Sequence, residues 1–131
     1  MIPDTKGIYG GVAAAEAGAP RLAAVAREVL ALHPNMHFYW RSSTFLCNST
    51  RMSNMHSALN AEVHRMNSII ESHLCNVSGV LKLDGLAWTE GQCDGYQTND
   101  AIHHAPLAFQ QVATLLSYEC GIPGADGTCL R

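Results

Sequence analysis

Charge is scarce in this chain: Asp, Glu, Lys and Arg together make up 15% of its 131 residues. With 47% hydrophobic residues alongside, that scarcity excludes intrinsic disorder over most of the length. A basic surplus is also missing, because eight Lys and Arg face eleven Asp and Glu, for a net charge of −3. The basic residues are scattered, so there is no electrostatic footprint for nucleic acid. No apolar run approaches the ~18–20 residues a bilayer crossing needs, which excludes direct membrane insertion by a helix. Residues 1–20 lack a basic start followed by an apolar core, so they do not read as a signal peptide. Internal repeats are absent, and the only biased segment is the Ala/Gly-rich start.

Metal-site spacing is missing too. No two cysteines stand three positions apart, and the seven histidines are unhelpfully placed. His64 and His73 are nine residues apart, on opposite faces of a helix, and the adjacent His103 and His104 point in different directions. No metal and no cofactor are expected.

Five cysteines, at positions 47, 75, 93, 120 and 129, lean towards an oxidising compartment in a chain this short. Cys120 and Cys129 bracket a Gly/Pro-rich tail and are placed to staple it, and the odd total leaves one thiol over. Asn48-Ser49-Thr50 and Asn76-Val77-Ser78 are glycosylation acceptor sequences. Together these features suggest a secreted or lumenal protein whose targeting signal lies upstream of Met1.

Hydrophobic periodicity outlines a single α/β domain over residues 1–131, with residues 119–131 as its tail. Pro20 opens a helical pattern whose apolar face carries Leu22, Val25, Ala26, Val29 and Leu30, ended by His33-Pro34-Asn35. Met36 to Trp40 reads as a buried strand and Ser42 to Asn54 as a polar loop. A second helix runs from about His56 to Cys75 with Leu59, Val63, Met66, Ile70 and Leu74 on one stripe. Val80 to Leu83 is the next strand, ending at Asp84-Gly85, and Leu86 to Ile102 is irregular. The last helix, from about Pro106 to Tyr118, buries some set of Phe109, Val112, Leu115 and Leu116. Short apolar strands separated by amphipathic helices argue for a parallel sheet covered on both faces. Two strands make a poor open sheet, so either further strands hide in Gly7 to Ala15 or, the favoured expectation, the chain is the C-terminal part of a larger domain and lacks its N-terminal strands.

Ligands of open α/β sheets sit outside the carboxyl ends of the strands. Three segments converge there: Arg41 to Thr44, Asp84 to Glu90, and Asp100 to His104. Asp100 and His103 suit a proton-relay pair, the carboxylate taking the imidazole Nδ1–H and leaving Nε2 as a general base. Equally, Asp100 would cap the last helix and His103 would be a loop residue. Arg41 would bind an anionic or carbohydrate group, or pair with an acid such as Asp84. Trp40, Trp88 and Tyr96 would stack on a sugar ring or pack in the core. Ser42 and Ser43 follow a strand but lack the Gly-x-Ser-x-Gly turn of a nucleophile elbow, and read as loop hydroxyls bonded to nearby backbone.

Val80-Leu81-Lys82-Leu83-Asp84, Ala87-Trp88-Thr89-Glu90-Gly91 and Asp100-Ala101-Ile102-His103 before a closing helix resemble the end of an SGNH (GDSL-like) hydrolase. The nearest branch is the PC-esterase-like one associated with O-acetylation of glycans, which Phe38-Tyr39-Trp40-Arg41-Ser42-Ser43-Thr44 also resembles. The resemblance spans about Pro34 to Leu116. It implies a partial three-layer, flavodoxin-like parallel sheet and a serine esterase or acyltransferase acting on a small-molecule or glycan O-acyl ester. It assigns His103 as base and Asp100 as its orienting acid, and Arg41 and Trp88 would serve the substrate. The family's Gly-Asp-Ser nucleophile segment and its oxyanion-hole blocks do not occur in this sequence. A non-catalytic glycan- or protein-binding domain on the same scaffold is the alternative.

Overall fold

The computed structural model describes residues 11–47, 56–95, 104 and 106–120. Their elements are α1 (Gly11–Leu32), β1 (Phe38–Arg41), α2 (His56–Leu74), β2 (Val80–Leu83), α3 (Gly85–Thr89), a 3-10 turn (Cys93–Gly95) and α4 (Leu107–Cys120). The protein is of mixed α/β class, mostly helical, around a two-stranded parallel sheet.

The strands pair Phe38 with Val80, Tyr39 with Leu81, Trp40 with Lys82 and Arg41 with Leu83. Partners in such a register share a face, so side-chain alternation sorts the sheet's neighbours. Phe38, Trp40 and Val80 pack with Ala23, Ala26, Leu74 and Val77. That is the side covered by α1 and α2. Tyr39 and Arg41, on the other face, reach α4: Tyr39 lies against Tyr118 at 6.0 Å between ring centroids and donates its hydroxyl to Glu119. Helices therefore stand on both faces of the pair. Among the described helices, none is long and apolar enough to cross a membrane.

The second helix, the strand Val80–Leu83 and the end of α1 agree with the periodicity, whereas the first strand runs Phe38–Arg41 rather than Met36 to Trp40, and Met36 is exposed. Val63, Met66 and Leu74 of the α2 stripe are buried. The start of α1 does not agree. It begins at Gly11, Pro20 lies inside it, and its buried face is Ala15, Ala19, Ala23 and Ala26 rather than the larger residues. Val25 is half exposed. A stripe of alanines lets two helix backbones approach closely, and α1 packs along α2. The lost hydrogen bond at an interior proline costs about 3 kcal/mol, so this packing must offset it. Residues 11–15 are thus helix and hold no hidden strand, while Gly7 to Gly10 lie outside the described residues.

Two further corrections concern the end of the chain. On α4 only Leu107 is buried, whereas Phe109, Val112 and Leu116 are exposed. Cys120 is a free, exposed thiol and does not staple the tail. The crosslink observed is Cys47–Cys93, and Cys75 is also disulfide-bonded. Cys129 and the rest of the tail from residue 121 lie outside the described residues.

Candidate functional site

The residues immediately after β1 build the site, and they are not a slack loop. Ser42 continues the ladder, its N–H donating to the Leu83 carbonyl at 3.0 Å. Asn67 of α2 then clamps Ser43 at both ends: Oδ1 accepts from Ser43 N and Nδ2 donates to Ser43 O, each at 2.9 Å. Asn60 does the same for Leu46, with both bonds at 2.7 Å. Between them, Phe45 N donates to Thr89 Oγ1 at 2.8 Å. The Cys47–Cys93 disulfide closes the strap. Side-chain amides offer a donor and an acceptor side by side, so two buried asparagines here replace a neighbouring strand.

Asn60 and Asn67 escaped the sequence reading, although a signal was available. Counted from Val63, Asn60 is three residues earlier and Asn67 four later, which places both on the buried stripe of α2. A polar residue on an apolar stripe needs a partner. Gly85 was likewise seen only as a strand end. A Cβ there would stand 2.6 Å from the Ser42 carbonyl, so glycine permits the two strand-end segments to touch.

Beyond this contact the strand ends carry a chain of polar groups. Ser42 Oγ donates to Asp84 Oδ1 at 3.2 Å and accepts from Leu86 N at 3.0 Å. Asp84 caps α3, accepting from Ala87 N at 3.1 Å. Its other oxygen meets Lys82 Nζ at 2.9 Å, and the same ammonium donates to both oxygens of Glu71 at 2.9 Å. Burial opposes the charge on Lys82, but its bonds to Asp84 and Glu71 outweigh this and raise its pKa. Burial also works against the Asp84 charge, yet the bonds from Lys82, Ala87 N–H and Ser42 hold its carboxyl below the ordinary value. Lys82 lies 5.9 Å from the ring centroid of Trp40, which sits in the core.

The polar groups Ser42, Asp84, Lys82 and Glu71, but not Trp40, line a cavity of about 210 Å³, with His64, Asn67, Ser68 and Glu90 completing its wall. His64 Nε2 and Glu90 Oε1 face each other across 3.1 Å at the exposed edge. Three carboxylates against one lysine and a histidine make the wall rich in acceptors and poor in net positive charge. Neutral hydroxylated ligands suit such a wall better than anions do.

The proposed substrate residues are elsewhere. Arg41 does not pair with Asp84, whose charge Lys82 already meets. It reaches α4, where Gln111, with its amide oxygen turned towards the guanidinium, accepts from Arg41 Nη1 at 3.2 Å and Nε at 3.1 Å. Trp88 is half-buried on α3, and neither residue lines the cavity. Ser42 is 1% exposed and bonded on both sides, as expected of a structural hydroxyl. Asp100, His103 and Tyr96 lie outside the described residues. Their neighbour His104 is buried, with Nε2 donating to the Gln92 carbonyl at 3.2 Å. No group of three or more metal-ligating side chains occurs among the described residues.

Comparison with protein-family models, curated proteins and solved structures returns no match to this chain.

Proposed function

We propose that this chain supplies part of an O-acyl ester hydrolase or acyltransferase site for glycan-type esters, on a partial SGNH-type, flavodoxin-like scaffold. One observation carries the reading: a hydroxyl-friendly polar cavity lies at the carboxyl ends of two parallel strands, the edge where such sheets bind ligands. In this reading the cavity wall holds sugar hydroxyls. Asp100 orients His103, and His103 takes the proton from a serine that lies outside this sequence.

The chemistry requires that serine, because a general base without a nucleophile leaves little covalent catalysis. The test is a chain carrying a Gly-Asp-Ser segment upstream of Met1. It should hydrolyse a small acetyl ester and lose that activity in His103→Ala. Unchanged turnover in the variant removes His103 from the mechanism.

A second reading, a non-catalytic glycan-binding domain, is favoured by the double bonding and burial of Ser42. A fluorophosphonate probe separates the two: labelling of a serine supports the enzyme. Binding of an acetylated sugar with no label and no turnover supports the binder.

A further inference from the structure

The turn between α2 and β2 holds one of the two acceptor sequences, and its geometry displays the residues that matter. Asn76 and Ser78 are exposed while Val77 between them is buried, pinned by Val77 N to Leu74 O at 2.9 Å and Val80 N to Val77 O at 3.3 Å. The middle side chain thus anchors the turn and its two neighbours face outwards. Asn76 Nδ2 donates one proton to the Ser72 carbonyl at 2.8 Å. An amide nitrogen carries two, so one remains for substitution. Beside the turn is an open groove of about 410 Å³ bounded by Arg27, Leu30 and Ala31 of α1 together with Asn76, Val77 and Ser78. Leu30 offers an apolar floor and Arg27 a donor, a combination that suits the ring and acetamide carbonyl of an N-acetylhexosamine.

A second observation bears on the compartment. Cys75, next to Asn76, is disulfide-bonded, as are Cys47 and Cys93. Such bonds persist where the environment is oxidising, which includes the lumen where asparagine-linked glycans are added.

We infer that Asn76 is an N-glycosylation site whose first sugar lies in the groove beside Leu30. In the transfer step Nδ2 of Asn76 attacks C1 of a polyprenyl-diphosphate-linked oligosaccharide. The Nδ2–C1 bond forms, the C1–O bond to the diphosphate breaks, the lipid diphosphate departs and one amide proton is released. The reaction precedes closure of the turn, since the transferase must reach both Asn76 and the Ser78 hydroxyl. The remaining N–H keeps its bond to Ser72. This inference stands apart from the esterase reading and survives its failure.

The experiment uses protein isolated from its own cells. It is treated with peptide N-glycosidase F in heavy-oxygen water, reduced and digested with trypsin. The peptide Met66–Lys82 should carry the heavy-oxygen aspartate tag at position 76, and should lack the unmodified asparagine form before treatment. Expression of Ser78→Ala in the same cells should abolish the tag while Asn76 itself is untouched. An untagged peptide in the native protein overturns the proposal, as does a tag that persists in Ser78→Ala.

Discussion

Replacing Asn60 with alanine removes the donor and the acceptor that satisfy Leu46, and nothing nearby substitutes for them. Asn60 is 6% exposed and Leu46 1%, so water has no access to either backbone group. A buried polar group stripped of its partner costs about 1–3 kcal/mol, and here there are two. The variant should therefore lose roughly 2–5 kcal/mol, a large share of the 5–15 kcal/mol typical of a domain. Asn67→Ala also breaks two bonds, but Ser43 is half-buried and water reaches it. Its loss should be smaller, about 1–2 kcal/mol. Ser68→Ala, one residue further on and exposed, is the control and should stay within about 0.5 kcal/mol. Urea unfolding of the three variants measures the order, and hydrogen exchange at the Leu46 amide tests the cause. If Asn60→Ala matched the control, or cost less than Asn67→Ala, the strap would not be held by these amides.

Opening the Cys47–Cys93 bridge, which closes a 46-residue separation, should cost about 4 kcal/mol by the chain-entropy argument, read as a lowered urea midpoint in Cys47→Ala/Cys93→Ala. Gly85→Ala drives a Cβ to 2.6 Å from the Ser42 carbonyl and should cost about 1–3 kcal/mol, with the cavity wall displaced as judged by chemical shifts of Ser42 and Leu86. The Asp84–Lys82 pair sets a pH signature. Because the Asp84 pKa is lowered in the fold, its stabilisation is present above the ordinary value of 3.8 and disappears as pH falls through the folded value. Because that of Lys82 is raised, its share is present below 10.5 and disappears as pH rises through the folded value. Asp84→Asn should be less stable than wild type by about 1–2 kcal/mol at pH 7, given partial solvent screening. The gap should close on acidification, which urea titrations at several pH values would show.

Much of the frame was readable because period and length carry it. The stripe of α2 and the four-residue strand Val80–Leu83 are local signals, and parallel pairing follows from a helix standing between the strands. What escaped depended on contacts distant in sequence. Nothing local shows that Asn67 meets Ser43, that Gly85 meets the Ser42 carbonyl, or that Cys47 chooses Cys93. The Arg41–Asp84 pairing failed for the opposite reason, a local one, since Lys82, two residues before Asp84, was the nearer cation. In α1, alanines hid the buried face because a hydrophobicity count favours larger side chains, whereas close helix packing favours small ones.

The last helix shows where periodicity and burial separate. Phe109, Val112 and Leu116 recur at helical spacing, yet they are 80%, 55% and 51% exposed. The reason is the width of the sheet. Two strands stand only ~5 Å apart, while a helix with its side chains is ~10 Å across. A pair that narrow cannot cover a helix, so α4 is held by long side chains instead: Glu119 by His37 and Tyr39, Gln111 by Arg41, and the Tyr118 ring by Tyr39. Hydrogen bonds from His37 and then Tyr39 keep the Glu119 carboxyl below its ordinary value, so neutral pH favours this attachment. Phe109→Ser should then change the stability of the 131-residue chain by no more than about 0.5 kcal/mol, since the ring leaves little buried area behind. Glu119→Gln, at a position of lower hydrophobicity, should raise hydrogen exchange across the end of α4 more than Phe109→Ser does. Unfolding curves and exchange rates on both variants decide the matter. A loss of 2 kcal/mol or more in Phe109→Ser, the amount about expected for a buried ring, would mean that α4 docks through its apolar stripe after all.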